Sequence, residues 1–140
     1  MEEQIKTIEE TYQKTFPTEP ESAIQVNVLK AIPWNGAHGI KTSSTISTEE
    51  YVSRCPWSGF PDFAVLDLSY EPHRAILEMK SFKVYLTSFA NVGITMERAC
   101  QRICFDLGEL LFPRRLEVTM QFKPRGGHSN LVICEWTRPR

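Results

Sequence analysis

At 140 residues, with 41% hydrophobic and 24% charged side chains, the chain has the length and balance of one soluble globular domain burying roughly two-thirds of its unfolded surface. A formal net charge of −1 supplies no general attraction to nucleic acid or anionic membrane, and no apolar run approaches the roughly 20 residues of a membrane span. The opening Met1-Glu2-Glu3-Gln4 lacks the basic start and apolar stretch of a signal peptide, so a cytoplasmic protein is expected.

In residues 1–14, Ile5, Ile8 and Tyr12 fall at helical spacing among Glu2, Glu3, Lys6, Glu9, Glu10 and Lys14, which predicts a short amphipathic helix. Phe16 to Glu21 carries two prolines and two glutamates and reads as a linker. The chain therefore divides into an N-terminal helix and linker (1–21) and a main domain (22–140). Ile24-Gln25-Val26-Asn27-Val28 alternates like a half-buried strand, Pro33-Trp34-Asn35-Gly36 reads as a hairpin-type turn, and the Thr- and Ser-rich Ile40 to Ser47 suggests a second strand. Ser47-Thr48-Glu49-Glu50 has the form of a cap and predicts one helical turn leading into the next loop.

That loop, Arg54 to Phe63, carries one thiol, Cys55, and seven residues on one carboxylate, Asp62. Two prolines and a glycine fix its backbone, and Trp57, Phe60 and Phe63 can bury it. From the residues alone two readings stand: a packed loop with an inert thiol, or a thiol and an acid held together in a dry pocket. The cysteines at 55, 100, 104 and 134 form no CxxC pair and read as free thiols. With histidines scattered at 38, 73 and 128, no metal site is expected, and Cys100 and Cys104, one helical turn apart, read as core packing.

Phe63 to Tyr70 alternates as a strand with Asp62 at its entrance, Glu71-Pro72-His73-Arg74 is a turn, and Ala75-Ile76-Leu77 a short strand. From Glu78 the period changes. Met79, Phe82, Leu86 and Phe89 form a helical stripe that leaves Lys80 and Lys83 together on another face, a solvated surface or one that meets an anion. Thr95 is placed to cap a second helix with Glu97 in its first turn and Met96, Cys100, Ile103, Leu107 and Leu110 or Leu111 as its stripe, ended by Pro113. Leu116 to Phe122 and Leu131 to Trp136 are strands about a turn at Pro124-Arg125-Gly126-Gly127. The order predicts an α+β fold, an antiparallel sheet with two helices on one face, whose open edges could be managed by pairing with sister subunits. Neither a GxGxxG turn nor a Walker loop is present, so any nucleotide cofactor is bound by other means.

Four stretches taken in order resemble the motifs of a known family: Cys55-Pro56-Trp57-Ser58-Gly59-Phe60-Pro61-Asp62-Phe63-Ala64; Glu78-Met79-Lys80-Ser81-Phe82-Lys83-Val84-Tyr85-Leu86 with Ser88-Phe89; Glu97; and Phe122-Lys123-Pro124-Arg125-Gly126-Gly127. The family is the NADPH-dependent 7-cyano-7-deazaguanine reductases, the QueF-type nitrile reductases of queuosine biosynthesis, a tRNA modification pathway. The resemblance implies the tunnelling fold (T-fold), with subunits joining their sheets into an oligomeric barrel and substrate sites at subunit interfaces. It implies that Cys55 attacks the nitrile to form a thioimide, that Asp62 donates the proton, and that two hydrides from NADPH yield 7-aminomethyl-7-deazaguanine without a metal. Glu97 then anchors the base, lined by Leu77, Glu78, Met79 and Met96, while Lys80, Lys83, Arg125 and Gly126 face NADPH.

Thr95 and Met96 stand where the family commonly has a Phe-His pair, Met79 replaces a frequent small polar residue, and Ala90 stands where Arg or Asn often follows Ser-Phe; His128 is a candidate substitute proton carrier. Two alternatives use the same residues: a QueF-like amidinotransferase capturing the thioimide with ammonia on tRNA, and a module that binds a deazapurine without turnover.

Overall fold

Strict alternation of buried and exposed side chains over two long runs builds the centre of the protein, a computed structural model that describes residues 1–11, 16–36 and 38–139. The first strand, β1, is short (Ala31–Pro33); β2 (Ser44–Arg54) and β3 (Pro61–Glu71) pair antiparallel on either side of the Cys55 loop, and β4 spans Ala75–Leu77. β5 (Arg115–Arg125) and β6 (His128–Trp136) complete a four-stranded antiparallel sheet in the order β2-β3-β5-β6, while β1 and β4 form a separate two-stranded ribbon. The inward positions Ala64, Leu66, Leu68, Val118, Met120 and Phe122 are wholly buried.

The described residues hold three α-helices: α1 (Glu2–Thr11), α2 (Met79–Thr87) and α3 (Met96–Leu111). α2 buries Phe82, Tyr85 and Leu86, and α3 buries Ala99, Cys100, Ile103, Cys104, Leu107 and Leu111, which bears out the α2 stripe from Phe82 onward, the main part of the α3 stripe and the core role of the helical cysteines. Met79, placed on the stripe by spacing, is instead exposed at the first turn of α2. Glu78 caps α2, its carboxylate accepting from the N–H of Lys80 at 2.7 Å and of Ser81 at 2.9 Å, and the Thr95 hydroxyl caps α3 by accepting from Arg98 N–H at 3.2 Å. Between the helices the Tyr85 hydroxyl donates to Asp106 at 2.6 Å, and Arg102 pairs with the same carboxylate at 2.7 Å. At Gly108 a side chain would meet the Trp136 indole at 2.0 Å, so a glycine is what lets α3 lie against the end of β6.

Four expectations need correction. Residues 24–28 form no strand: 3₁₀ turns at Glu21–Ala23 and Val26–Val28 carry the chain across α2, with Gln25 N–H donating to the Ser88 hydroxyl at 3.0 Å. No strand among the described residues pairs there, and the segment packs through Ile24 and Leu29, which are out of phase with each other in the alternation, while Val26 is exposed. Pro33 to Gly36 is no hairpin, because Ala31–Pro33 pairs with Leu77–Ala75 rather than with the strand that follows it. Ser47 to Glu50 makes no helical turn; Thr48 accepts from Glu50 N–H at 3.3 Å, but within a bulge of β2, which runs unbroken to Arg54. β5 likewise continues through Pro124 to Arg125, leaving a two-residue turn of Gly126 (φ 65) and Gly127 (φ 85), the positive-φ pair that a tight hairpin requires.

The predicted N-terminal helix is present as α1, while Tyr12, Lys14 and the side chains of Glu9 and Glu10 lie outside the described residues. Glu21, at the end of the predicted linker, pairs with Arg98 at 2.9 Å and Arg102 at 3.1 Å on α3. No helix among the described residues is long and apolar enough to cross a membrane.

Candidate active site

The β2–β3 turn is closed by its own backbone: Cys55 N–H donates to Phe60 O at 2.8 Å and Gly59 N–H to Cys55 O at 2.9 Å, with Gly59 at φ +79. The Arg54 guanidinium donates to Gly59 O at 3.0 Å, and Phe16 packs edge-on against Phe60 at 5.7 Å. Cys55 is held inside this frame, 4% exposed. Burial pushes its thiol up, but the Ser58 hydroxyl, the backbone N–H groups of Ser58 and Trp57, and the charge of Arg125 outweigh it, leaving the thiol below its ordinary value.

Alkylation measures that effect, since its rate follows the thiolate fraction. The rate at Cys55, read by peptide mapping against iodoacetamide, is expected to half-rise at lower pH than for an ordinary thiol, and at higher pH in Ser58→Ala than in the unaltered protein. Equal midpoints in the two proteins would remove Ser58 from the account.

Asp62 enters on β3 directly opposite Ser53 of β2 and is 5% exposed. Arg125 Nε, at the end of β5, lies 2.8 Å from Asp62 Oδ1. The ion pair is close but poorly aligned, and Oδ1 has no hydrogen-bond partner among the described residues. Burial raises the carboxyl above its ordinary value against the opposing pull of Arg125. The turn and the strand after it thus hold a thiol that ionises more readily than usual and a carboxyl that ionises less readily than usual, a pairing suited to adding sulfur to an unsaturated carbon while protonating the atom beside it.

The remaining predicted residues sort into four places. Arg54 N–H donates to Val92 O at 2.9 Å and Ile94 N–H to Arg54 O at 3.0 Å, so the start of α3, with Met96 half-buried and Glu97 exposed, is tied to the Cys55 end of the sheet. Met96 Sδ accepts from Asn130 Nδ2 at 3.6 Å. Arg125 and Gly126 line a hollow of about 660 Å³ with Ser58, Phe60, Pro61 and His128. Met79, Lys80 and Lys83 line a different groove of about 430 Å³ between α2 and β2, beside Ser47, Thr48 and Glu50. Leu77 is buried, its N–H donating to the Tyr70 hydroxyl at 3.0 Å, and both carboxylate oxygens of Glu78 are engaged in capping α2.

The family model described as QueF-like protein matches residues 61–140. An NADPH-dependent 7-cyano-7-deazaguanine reductase of Caldicellulosiruptor bescii is 42% identical over 126 residues, covering 90% of this chain and 95% of its own. The chain belongs to this reductase family. A second relative of the same name, from Thermoanaerobacter pseudethanolicus, is 37% identical over 128 residues and covers 91% of this chain and 96% of its own. The crystal structure of an archaeosine synthase QueF-Like in the apo form matches with a TM-score of 0.57 at 21% identity, over 69% of this chain and 90% of that one, which agrees with the expected tunnelling fold.

Against the family's motifs, the structure gives two residues roles that reading the sequence did not assign. Ser58 acts on the thiol and Arg125 pairs with the acid, whereas the motif resemblance reserved Arg125 for the cofactor. A serine three positions after the cysteine in a Pro/Gly turn is the one local signal that pointed to the first. Thr95, standing where the family commonly has an aromatic residue, is occupied as the cap of α3.

Proposed function

We propose that the protein reduces 7-cyano-7-deazaguanine to 7-aminomethyl-7-deazaguanine with NADPH, in the cytoplasm, as one step of queuosine biosynthesis. The observation that carries this reading is the buried pair of Cys55 in the turn and Asp62 at the start of β3, the thiol eased toward ionisation and the carboxyl, beside Arg125, hindered from it; the names of the relatives supply the substrate and the cofactor.

Cys55 Sγ adds to the nitrile carbon; the C–S bond forms as one C–N π pair moves to nitrogen, which takes the proton of Asp62, giving a thioimide. The carboxylate left behind faces the Arg125 guanidinium. NADPH supplies two hydrides to the substrate carbon, and with two protons these account for conversion of the nitrile to the aminomethyl group. Between them Cys55 leaves as thiolate, the state its surroundings favour.

Glu97, exposed at the tip of α3, presents a carboxylate that suits the adjacent N–H and amino donors of the base. Lys80 and Lys83 on the groove, and Arg125 with Gly126 at the hollow, suit the phosphates of NADPH; neither lysine makes an ion pair among the described residues. The groove and the hollow share no lining residue. In a homo-oligomer with sites between subunits, a cofactor held by both sets would draw one set from a neighbouring copy. Phe63, Leu131 and Ile133, large apolar side chains about half exposed on the uncovered side of the sheet, and the unpaired edges of β2 and β6 support that assembly.

The test is turnover: with 7-cyano-7-deazaguanine and NADPH, two NADPH are consumed for each amine formed. A covalent adduct with no oxidation would support the amidinotransferase, and reversible binding alone the non-catalytic module.

A further inference from the structure

Three buried polar atoms have no hydrogen-bond partner among the described residues: Tyr51 Oη, Ser53 Oγ and Asp62 Oδ1. They are not scattered. The β2–β3 register sets Ser53 opposite Asp62 and Tyr51 opposite Ala64, so all three side chains share the inner face of two paired strands immediately before the Cys55 turn. Tyr51 and Ser53 are each 1% exposed. The Tyr51 ring is locked by Phe89 at 5.6 Å and Phe122 at 6.1 Å, so its hydroxyl cannot swing out to water. Buried hydroxyls without partners are destabilising and rare, and three together beside a proposed acid require a reason.

We propose that Tyr51 and Ser53 are positioning residues for Asp62, whose hydroxyl hydrogens turn onto the carboxyl oxygen that Arg125 leaves without an aligned hydrogen bond as the acid gives up its proton. This rests on the reductase reading, in which Asp62 is the donor. The Asp62 O–H bond breaks and an N–H bond forms on the substrate; Tyr51 and Ser53 keep their protons and only redirect them, so no further reactant is involved.

Among the described residues, Arg125 at the end of β5 lies against Asp62, while Cys100 on α3 and Tyr85 on α2 lie near Tyr51. Burial pushes the thiol of Cys100 well up, so it stays neutral, and burial likewise keeps Tyr51 protonated, against the pull of the nearby Ser53 hydroxyl and with the Asp62 carboxylate opposing its ionisation. A tyrosine that keeps its proton is a hydrogen-bond donor throughout the working range.

Removing a donor to the carboxylate makes ionisation harder, so the Asp62 midpoint must rise. Titration of the ¹³C-labelled carboxyl, assigned by its absence from Asp62→Asn, is expected to move up by about one pH unit in Tyr51→Phe and in the same direction in Ser53→Ala. With the nitrile and NADPH, kcat in Tyr51→Phe is expected to fall about tenfold while KM stays within about twofold. The phenyl ring keeps the packing against Phe89 and Phe122, and Ser53→Ala is a second, smaller deletion. A raised midpoint in a protein that oxidises no NADPH supports the positioning and rejects the reductase reading. Normal turnover with an unmoved midpoint in both variants overturns the positioning and leaves the reductase standing.

Discussion

Cys55→Ala is expected to lower NADPH oxidation in the presence of the nitrile by roughly 10⁴-fold or more. A nitrile carbon accepts hydride poorly, and the thioimide removes that obstacle only if sulfur is attached first. Alanine leaves binding and proton donation in place but nothing to activate the carbon. The fold is not expected to suffer comparably, because the turn is closed by main-chain bonds between Cys55, Gly59 and Phe60 rather than by the thiol. Removing one buried sulfur is expected to cost about 1 kcal/mol, read from thermal unfolding. Cys55→Ser is expected to be as inactive, since an alcohol in this site holds its proton far more tightly than a thiol does. Loss of stability in step with loss of rate would instead assign Cys55 to packing.

Gly59→Ala is expected to destabilise the protein by about 3 kcal/mol, roughly 10 °C in Tm for a domain of this size. Two effects add. At φ +79 a side chain is strained wherever it sits, and a Cβ would lie 2.1 Å from the backbone oxygen of Phe16 and 2.9 Å from its carbonyl carbon. The obstacle is backbone and cannot rotate away. Phe16 N–H donates to Ser58 O at 3.4 Å, so pushing residue 16 aside also displaces Ser58, one of the groups that favour the Cys55 thiolate. Activity is therefore expected to fall further than the loss of folded protein explains, with the alkylation midpoint of Cys55 moving up. Unchanged Tm together with an unchanged midpoint would mean that residue 16 does not brace the turn.

The elements most legible in the sequence were those whose signals are local. The stripes of α2 and α3 were readable from period and caps, and the Cys55 turn from its prolines and glycine. Where pairing is long-range the signals misled. Ile24 to Val28 alternates like a strand but has no partner, and Ala31–Pro33 finds its partner in residues 75–77, far along the chain. Thr48 and Glu50 carry real capping chemistry, used in a bulge of β2. The same reason hides part of the site. Ser53 and Tyr51 matter only because register sets them beside Asp62, and Arg125 meets that carboxylate only once β5 lies against β3. Glu78 shows the reverse: a residue marked by its motif for the substrate has both oxygens engaged by the first turn of its own helix.

The central claim, that Cys55 forms the covalent bond by which the nitrile is activated, is tested most directly by intact mass. Incubated with 7-cyano-7-deazaguanine alone, the protein is expected to gain the mass of one nitrile molecule on the peptide containing Cys55, and to lose it when NADPH is added, with amine appearing in step. NADPH oxidation without any adduct, or an adduct confined to Cys100, Cys104 or Cys134, would contradict it.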